Sequence, residues 1–291
     1  MNQLNIITTG PSKDYELLDS GAGEKLERYG KYIFRRPDPQ TLWAKQLSSN
    51  DWAKADASFR RDGQKGDWNL KEGLPERWAI EFGDLKFWIR PTSFKHTGLF
   101  PEQLPNWDWM RECIRAANRP VSVLNLFGYT GGASIAAAQA GASVVHIDGS
   151  KVAIKWGKDN AELSGLADKP IRWILEDARE FVKREIKRGN KYDGILLDPP
   201  AFGHGPNNEL WKIEDHLPEF LKMCSEILTE KPLFFLINGY ASGYSAIAYE
   251  NNLKALLEKY GGEFEKGELT IEESNSGRLL PCGIFARWKN V

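Results

Sequence analysis

The run Val121-Ser-Val-Leu-Asn-Leu-Phe127, followed by Gly128-Tyr-Thr-Gly131-Gly132 and an alanine-rich stretch to Ala140, constrains the fold of this chain more than any other segment. A largely apolar run suits a strand buried on both faces, as in a parallel sheet. The glycines then turn the chain tightly, and the small residues after them let a helix pack close to that sheet. A second apolar run, Ala142 to Ile147, ends at Asp148, where a carboxylate can receive the two hydroxyls of a ribose. The pair of features points to a ligand that contains a nucleoside.

The glycine spacing narrows the ligand. Gly128-Tyr-Thr-Gly131-Gly132 has neither the G-x-G-x-x-G spacing of a dinucleotide pyrophosphate turn nor the Gly-Lys-Ser/Thr ending of a phosphate loop, and it contains no basic residue. Such a turn leaves backbone amides at a helix start for one small anionic group, such as the carboxylate of an amino acid. S-adenosylmethionine carries both a ribose and that carboxylate.

A chain of 291 residues with 41% hydrophobic and 27% charged residues has the length and composition of a globular protein of one or two domains. Its net charge of -1 excludes bulk electrostatic binding of nucleic acid, so any such contact must use local patches. The best candidates are Arg28, Lys31, Arg35, Arg36, Arg60, Arg61 and Lys65, set among aromatic residues such as Tyr29, Tyr32 and Trp68. A solvated face over an aromatic core explains the same residues. Cys113, Cys224 and Cys282 are scattered, which argues against a disulfide framework or a metal site and for a reducing, cytoplasmic setting. No segment has the length and apolarity of a membrane span. Oligomeric state is not legible.

The texture changes near residue 105. Residues 1–105 are rich in aromatics, Gly and Pro, with short alternations such as Trp78 to Phe82 and Leu85 to Ile89, and read as a β-rich N-terminal domain. Residues 106–291 alternate apolar strands with helices, the pattern of a Rossmann-like α/β fold. Strands are expected at 121–127, 142–148, 171–176, 192–198 and 233–238, with a closing β-hairpin at 268–288.

Three of these strands end in carboxylates, Asp148, Asp177 and Asp198, which a parallel sheet brings to one edge, where ligands bind. Asp148 would hold the ribose, Asp177 with the Ala178 amide the adenine edge, and Asp198 the reaction centre. Asp177 equally suits an N-cap for the helix that begins at Ala178. After Asp198, Pro199-Pro200 stiffens the chain and presents carbonyls as fixed acceptors, while Phe202 offers a ring on which a base can stack. His204, in a glycine-rich loop, is a possible base and equally a surface residue.

These segments resemble a known family. Leu124 to Gly131, Asp148-Gly149-Ser150, Glu176-Asp177-Ala178 and Asp198-Pro199-Pro200-Ala201-Phe202 are similar to the motifs of class I S-adenosylmethionine-dependent methyltransferases, in the branch of bacterial large-subunit ribosomal RNA (cytosine/guanine) enzymes. His96-Thr97-Gly98-Leu99-Phe100 is similar to a segment of that branch that closes over the cofactor. The resemblance implies a seven-stranded methyltransferase fold with cofactor contacts at Thr97, Gly98, Phe127, Gly128, Tyr129, Gly131, Asp148, Ser150, Asp177, Ala178 and Asp198. The residues themselves give the expected catalytic set, Asp198, Pro199 and Phe202, with no metal, and the resemblance implies RNA, ribosomal above all, as the substrate class. A protein or small-molecule methyltransferase and a non-catalytic RNA-binding module are the rival readings. Relatives that methylate a cytosine carbon carry a cysteine after the fifth strand, where this chain has Asn238-Gly239-Tyr240-Ala241-Ser242, so a base nitrogen is the expected acceptor.

Overall fold

The computed structural model describes residues 4–62, 65–92, 95–240 and 243–290. The chain divides into two compact units: Met1–Ile7, Pro105–Leu269 and Gly283–Val291 form one, Thr8–Leu104 and Thr270–Cys282 the other.

The first unit is built on parallel strands that alternate with helices. In chain order these are β1 (Ser122–Leu126), α1 (Gly132–Gln139), β2 (Ser143–Asp148), α2 (Lys151–Leu163), β3 (Ile171–Leu175), α3 (Ala178–Arg188), β4 (Gly194–Leu197), α4 (Ile213–Glu226), β5 (Phe234–Gly239) and α5 (Ala246–Leu257). The long strands β6 (Glu263–Glu272) and β7 (Leu279–Lys289) close the chain. The strands lie in the order β3-β2-β1-β4-β5-β7-β6, with β7 antiparallel to β5. This is the expected seven-stranded Rossmann-like sheet. An eighth strand, Asn5–Thr9, adds to the β6 edge, a pairing over such sequence distance that no local pattern announces it.

The order of the strands makes the site. Their chain order reverses between β1 and β4, so the segments after these two strands diverge and leave a crevice at their carboxyl ends. Register fixes the neighbours: Leu126 of β1 pairs with Ile147 of β2 and Leu197 of β4, and Leu197 pairs with Ile237 of β5. Beneath the crevice, Leu124, Leu126, Ile195, Leu197, Phe220, Leu221 and Phe235 are buried in one core. At roughly 1.5 to 3 kcal/mol per buried large side chain, this core holds the strand ends to one geometry.

The second unit holds a five-stranded sheet, Tyr15–Gly21, Glu24–Tyr29, Tyr32–Pro37, Ala57–Asp62 and Lys65–Leu70, and a separate hairpin of Trp78–Phe82 with Leu85–Ile89. The hairpin turns through Gly83 and Asp84, both near φ 60°, the left-handed pair that matches strand twist. Within this unit Arg28 pairs with Glu16 at 2.6 Å, Arg35 grips Glu24 through two nitrogens, and Arg36 binds the buried Glu27. Glu27 also accepts from the hydroxyls of Tyr15 and Tyr29. Three of the candidate nucleic-acid cations are thus paired with glutamates inside the unit, and Arg36 is buried rather than on a solvated face. The side chains of Arg61 and Lys65 lie outside the described residues.

Candidate functional site

The turn after β1 is strained. Phe127 and Tyr129 take φ of 58° and 50°, left-handed values that cost a side-chain-bearing residue about 1 kcal/mol or more each, and Gly131 follows at 85°. The Gly128 amide donates to the Ile147 carbonyl at 3.0 Å and the Tyr129 amide to Asp148 Oδ2 at 2.8 Å, so the turn is tied to the end of β2. A Cβ on Gly128 would approach His146 Cε1 to 2.4 Å, one on Gly131 would meet Trp173 at 2.8 Å, and one on Gly132 would meet Trp107 at 2.4 Å. Packing under the turn therefore already demands these glycines, before any ligand approaches. No side chain caps the N-terminus of α1.

The three strand-end aspartates differ in their surroundings. Asp148 accepts the Tyr129 amide on one oxygen and the Ser150 amide on the other, both at 2.8 Å. Burial pushes its carboxyl above the usual range, and these two amides oppose the shift. Ser150 caps α2 by accepting the Ala153 amide. Asp177 caps α3 through the amides of Arg179 and Glu180, and the Arg179 guanidinium also pairs with it at 3.1 Å. The N-cap geometry is therefore present, and Ala178 is the first, buried residue of that helix. Asp198 follows β4, half-buried, with its amide donating to the Leu126 carbonyl at 3.3 Å. Phe127, Gly128, Tyr129, Asp148, Ser150 and Asp198 are thus assembled along the ends of β1, β2 and β4. Thr97 and Gly98 belong to the second unit, where the buried Thr97 carbonyl accepts from the Arg90 amide and Gly98 has φ 98°.

The segment after Pro199-Pro200 differs from expectation. The Pro200 carbonyl accepts from Trp211 Nε1 at 2.6 Å and that of Ala201 from the Ile213 amide, so these two acceptors serve the fold rather than the crevice. The expected glycine-rich loop is a short hairpin, Phe202–His204 with Leu210–Lys212. Buried Trp211 fixes it by packing on Phe127 at 5.0 Å and on Phe220 at 5.6 Å between ring centroids. Its tip approaches the aspartates: a Cβ on Gly205 would lie 3.1 Å from Asp177 Oδ2, and one on Gly149 would lie 3.5 Å from Gly205 Cα. Phe202 stays 58% exposed, edge-on to His204 at 5.3 Å. The apolar pair Leu210-Trp211 after Asn207-Asn208 was the available sequence signal for this hairpin.

Near the end of β5, the Asn238 side chain accepts from Asn106 Nδ2 at 3.0 Å. Ala241 and Ser242 lie outside the described residues. Burial raises the thiols of all three cysteines, that of Cys113 to about 11, so none is held as a thiolate. Replacing the three together with alanine is expected to leave methyl transfer within about threefold of the native rate, with folding losses of about 1 to 3 kcal/mol. Activity per folded molecule is the measurement, and loss of a covalent step would show as an abolished rate in folded protein.

Residues 40–246 match the family model of the S-adenosylmethionine-dependent methyltransferases. The chain belongs to that family. A SAM-dependent methyltransferase from Agrobacterium tumefaciens is 43% identical, superposes with a TM-score of 0.94, and is matched over 98% of this chain and 93% of its own. Ribosomal RNA large subunit methyltransferase K/L of Syntrophotalea carbinolica is 30% identical over 168 residues, 57% of this methyltransferase and 22% of the relative. Ribosomal RNA large subunit methyltransferase I of Aeromonas salmonicida is 32% identical over 145 residues, 45% of this chain and 36% of the relative. The methyltransferase thus spans well under half the length of these curated relatives. The donor set fits S-adenosylmethionine: a carboxylate stands at the end of β2, the start of α1 lacks a side-chain cap, and no cation for a pyrophosphate lies in the turn. Among the described residues no cluster of His, Cys, Asp or Glu could hold a metal, and no helix is long and apolar enough to cross a membrane.

Proposed function

We propose that this methyltransferase transfers a methyl group from S-adenosylmethionine to a base nitrogen in RNA, with ribosomal RNA as the substrate class and the cytoplasm as its setting. The observation that carries the reading is an exposed ring, Phe202, four residues beyond the half-buried Asp198 on a segment stiffened by Pro199 and Pro200. A base can stack on such a ring while a carboxylate meets its edge. Two relatives bear the name ribosomal RNA large subunit methyltransferase, which favours RNA over protein or small molecules.

In this reading Asp148 holds the ribose, and the Phe127 to Gly131 turn with the start of α1 holds the amino-acid carboxylate. Ser150, Asp177 and the Ala178 amide border the adenine. The bound cofactor supplies an electrophilic methyl group on its sulfonium. Asp198 would accept a hydrogen bond from the attacking nitrogen's N–H, orient its lone pair and take up the proton the nitrogen sheds as its N–C bond forms and the sulfonium S–C bond breaks, and Phe202 would fix the plane of the base. Displacement at a methyl group needs alignment more than proton transfer, so positioning of this kind can supply much of the rate. The test is incubation with labelled S-adenosylmethionine and total RNA from cells lacking the protein, followed by nucleoside mass analysis. Label in an N-methylated nucleoside of the large ribosomal RNA is expected. Label in 5-methylcytidine, or only in protein or small molecules, would overturn the proposal.

A further inference from the structure

Beneath the turn lies a buried polar chain that no role above uses. Asn125 of β1 donates from Nδ2 to Ser134 Oγ at 2.8 Å, and Ser134 of α1 meets Nδ1 of His146, on β2, at 2.9 Å. All three residues are buried. The serine hydroxyl has one proton and two lone pairs, so beside the asparagine amide it can donate to His146 Nδ1 or accept from it, and the direction follows the ring tautomer. Burial depresses the ring's pKa to about 3, against an opposing contribution from the Tyr129 backbone, so the ring is neutral at working pH. Its other neighbour is Trp173, 4.5 Å away between ring centroids.

The ring is the floor of the turn. A Cβ on Gly128 would stand 2.4 Å from His146 Cε1, 2.5 Å from its Nδ1 and 3.0 Å from Asn125 Nδ2, so the backbone of Gly128 rests on this chain. Phe127 and Tyr129, on either side, are the residues held at positive φ. Strain of that kind persists only where the surroundings over-determine it.

We propose that His146 is a positioning residue for cofactor binding: fixed by Asn125 and Ser134, its ring sets the height of Gly128 and with it the aim of the turn's amides. The inference rests on the turn being the cofactor's seat, and it adds a determinant that makes no contact with ligand. Asn125 and Ser134 act through it.

The test is calorimetric titration of S-adenosylhomocysteine into full-chain variants. Ser134→Ala removes one hydroxyl and is expected to weaken binding about threefold to tenfold, and His146→Ala at least about tenfold, the scale of a lost buried hydrogen bond. Gly128→Ala alone is expected to weaken binding at least about tenfold, but less than about threefold further in a His146→Ala background, because the two shortest contacts are then gone and only the one to Asn125 remains. Cys224→Ala, a core truncation in α4, provides a destabilised control whose affinity stays native. In the ligand-free protein, nitrogen-15 spectra of His146 are expected to show a neutral ring, unchanged between about pH 5.5 and 8. Native affinity in folded Ser134→Ala, an undiminished Gly128→Ala effect without the imidazole, or a ring that charges in that range would overturn the proposal. Asp148→Ala separates the two levels. If it loses binding while the His146 series does not, the positioning role falls and the seat stands; if it too binds normally, the seat is misplaced.

Discussion

Asp198→Ala is expected to lower turnover at least about a hundredfold, a loss of roughly 3 kcal/mol of transition-state stabilisation, while the thermal midpoint moves by no more than a few degrees. The contrast follows from where the residue sits. Its backbone hydrogen bond to the Leu126 carbonyl survives the substitution, and the residue as a whole is half-buried just past the end of β4, although its Oδ1 is buried. A carboxylate that meets the acceptor nitrogen only when substrate is aligned should affect kcat more than the KM for cofactor. Single-turnover rates beside calorimetric cofactor affinity measure both. A native rate in folded Asp198→Ala would remove this residue from the mechanism.

Acid stability of the second unit is expected to hinge on two groups that oppose each other. Burial holds His96 near 4, helped by the charges of Arg36 and Lys95, below the ordinary value of about 6.5. Between those values the unfolded chain takes up a proton that the folded chain refuses, so this stability is complete above pH 6.5 and is lost as the pH falls toward 4. Burial lifts Glu102 to about 7 although Lys25 pulls it down, so the folded chain is the one that binds a proton between 7 and 4.5, and stability rises as the pH falls through that window. Each effect is on the order of 3 kcal/mol, and the two nearly cancel in the native chain. Glu102→Gln removes the compensating gain. Its urea midpoint is expected to drop steeply from pH 6.5 to 4.5, where the native protein changes little. Parallel pH profiles for the two proteins would contradict the assignment.

The elements that sequence reasoning recovers are those with strong local patterning. Strands β1 to β5 are predominantly apolar runs, and their observed ends fall within about two residues of the expected ones, as usual for element boundaries. The Trp78–Ile89 hairpin announces itself by alternation around Gly83-Asp84. The Phe202–Lys212 hairpin does not, because its glycines and prolines read as loop and its anchor, Trp211, packs on the distant Phe127 as well as on Phe220. Composition likewise cannot distinguish a solvent-facing arginine from one gripped by a glutamate on the next strand, as Arg35 is by Glu24. The site was legible as a row of acidic strand ends. Its glycines were legible as glycines but not for the right reason alone, since the imidazole and indoles that fill the space beneath them come from residues 107, 146 and 173.

The account stands most directly on cofactor capture at the end of β2. Calorimetry with S-adenosylhomocysteine on the native protein and on Asp148→Ala tests it, with NAD as the competing nucleoside ligand. The native protein is expected to bind S-adenosylhomocysteine and not NAD. The variant is expected to lose about 1.5 to 3 kcal/mol, the range for hydrogen bonds to a charged group, or roughly tenfold to more than a hundredfold in Kd. Unchanged affinity in a folded Asp148→Ala protein, or NAD binding that displaces the homocysteine ligand, would contradict it.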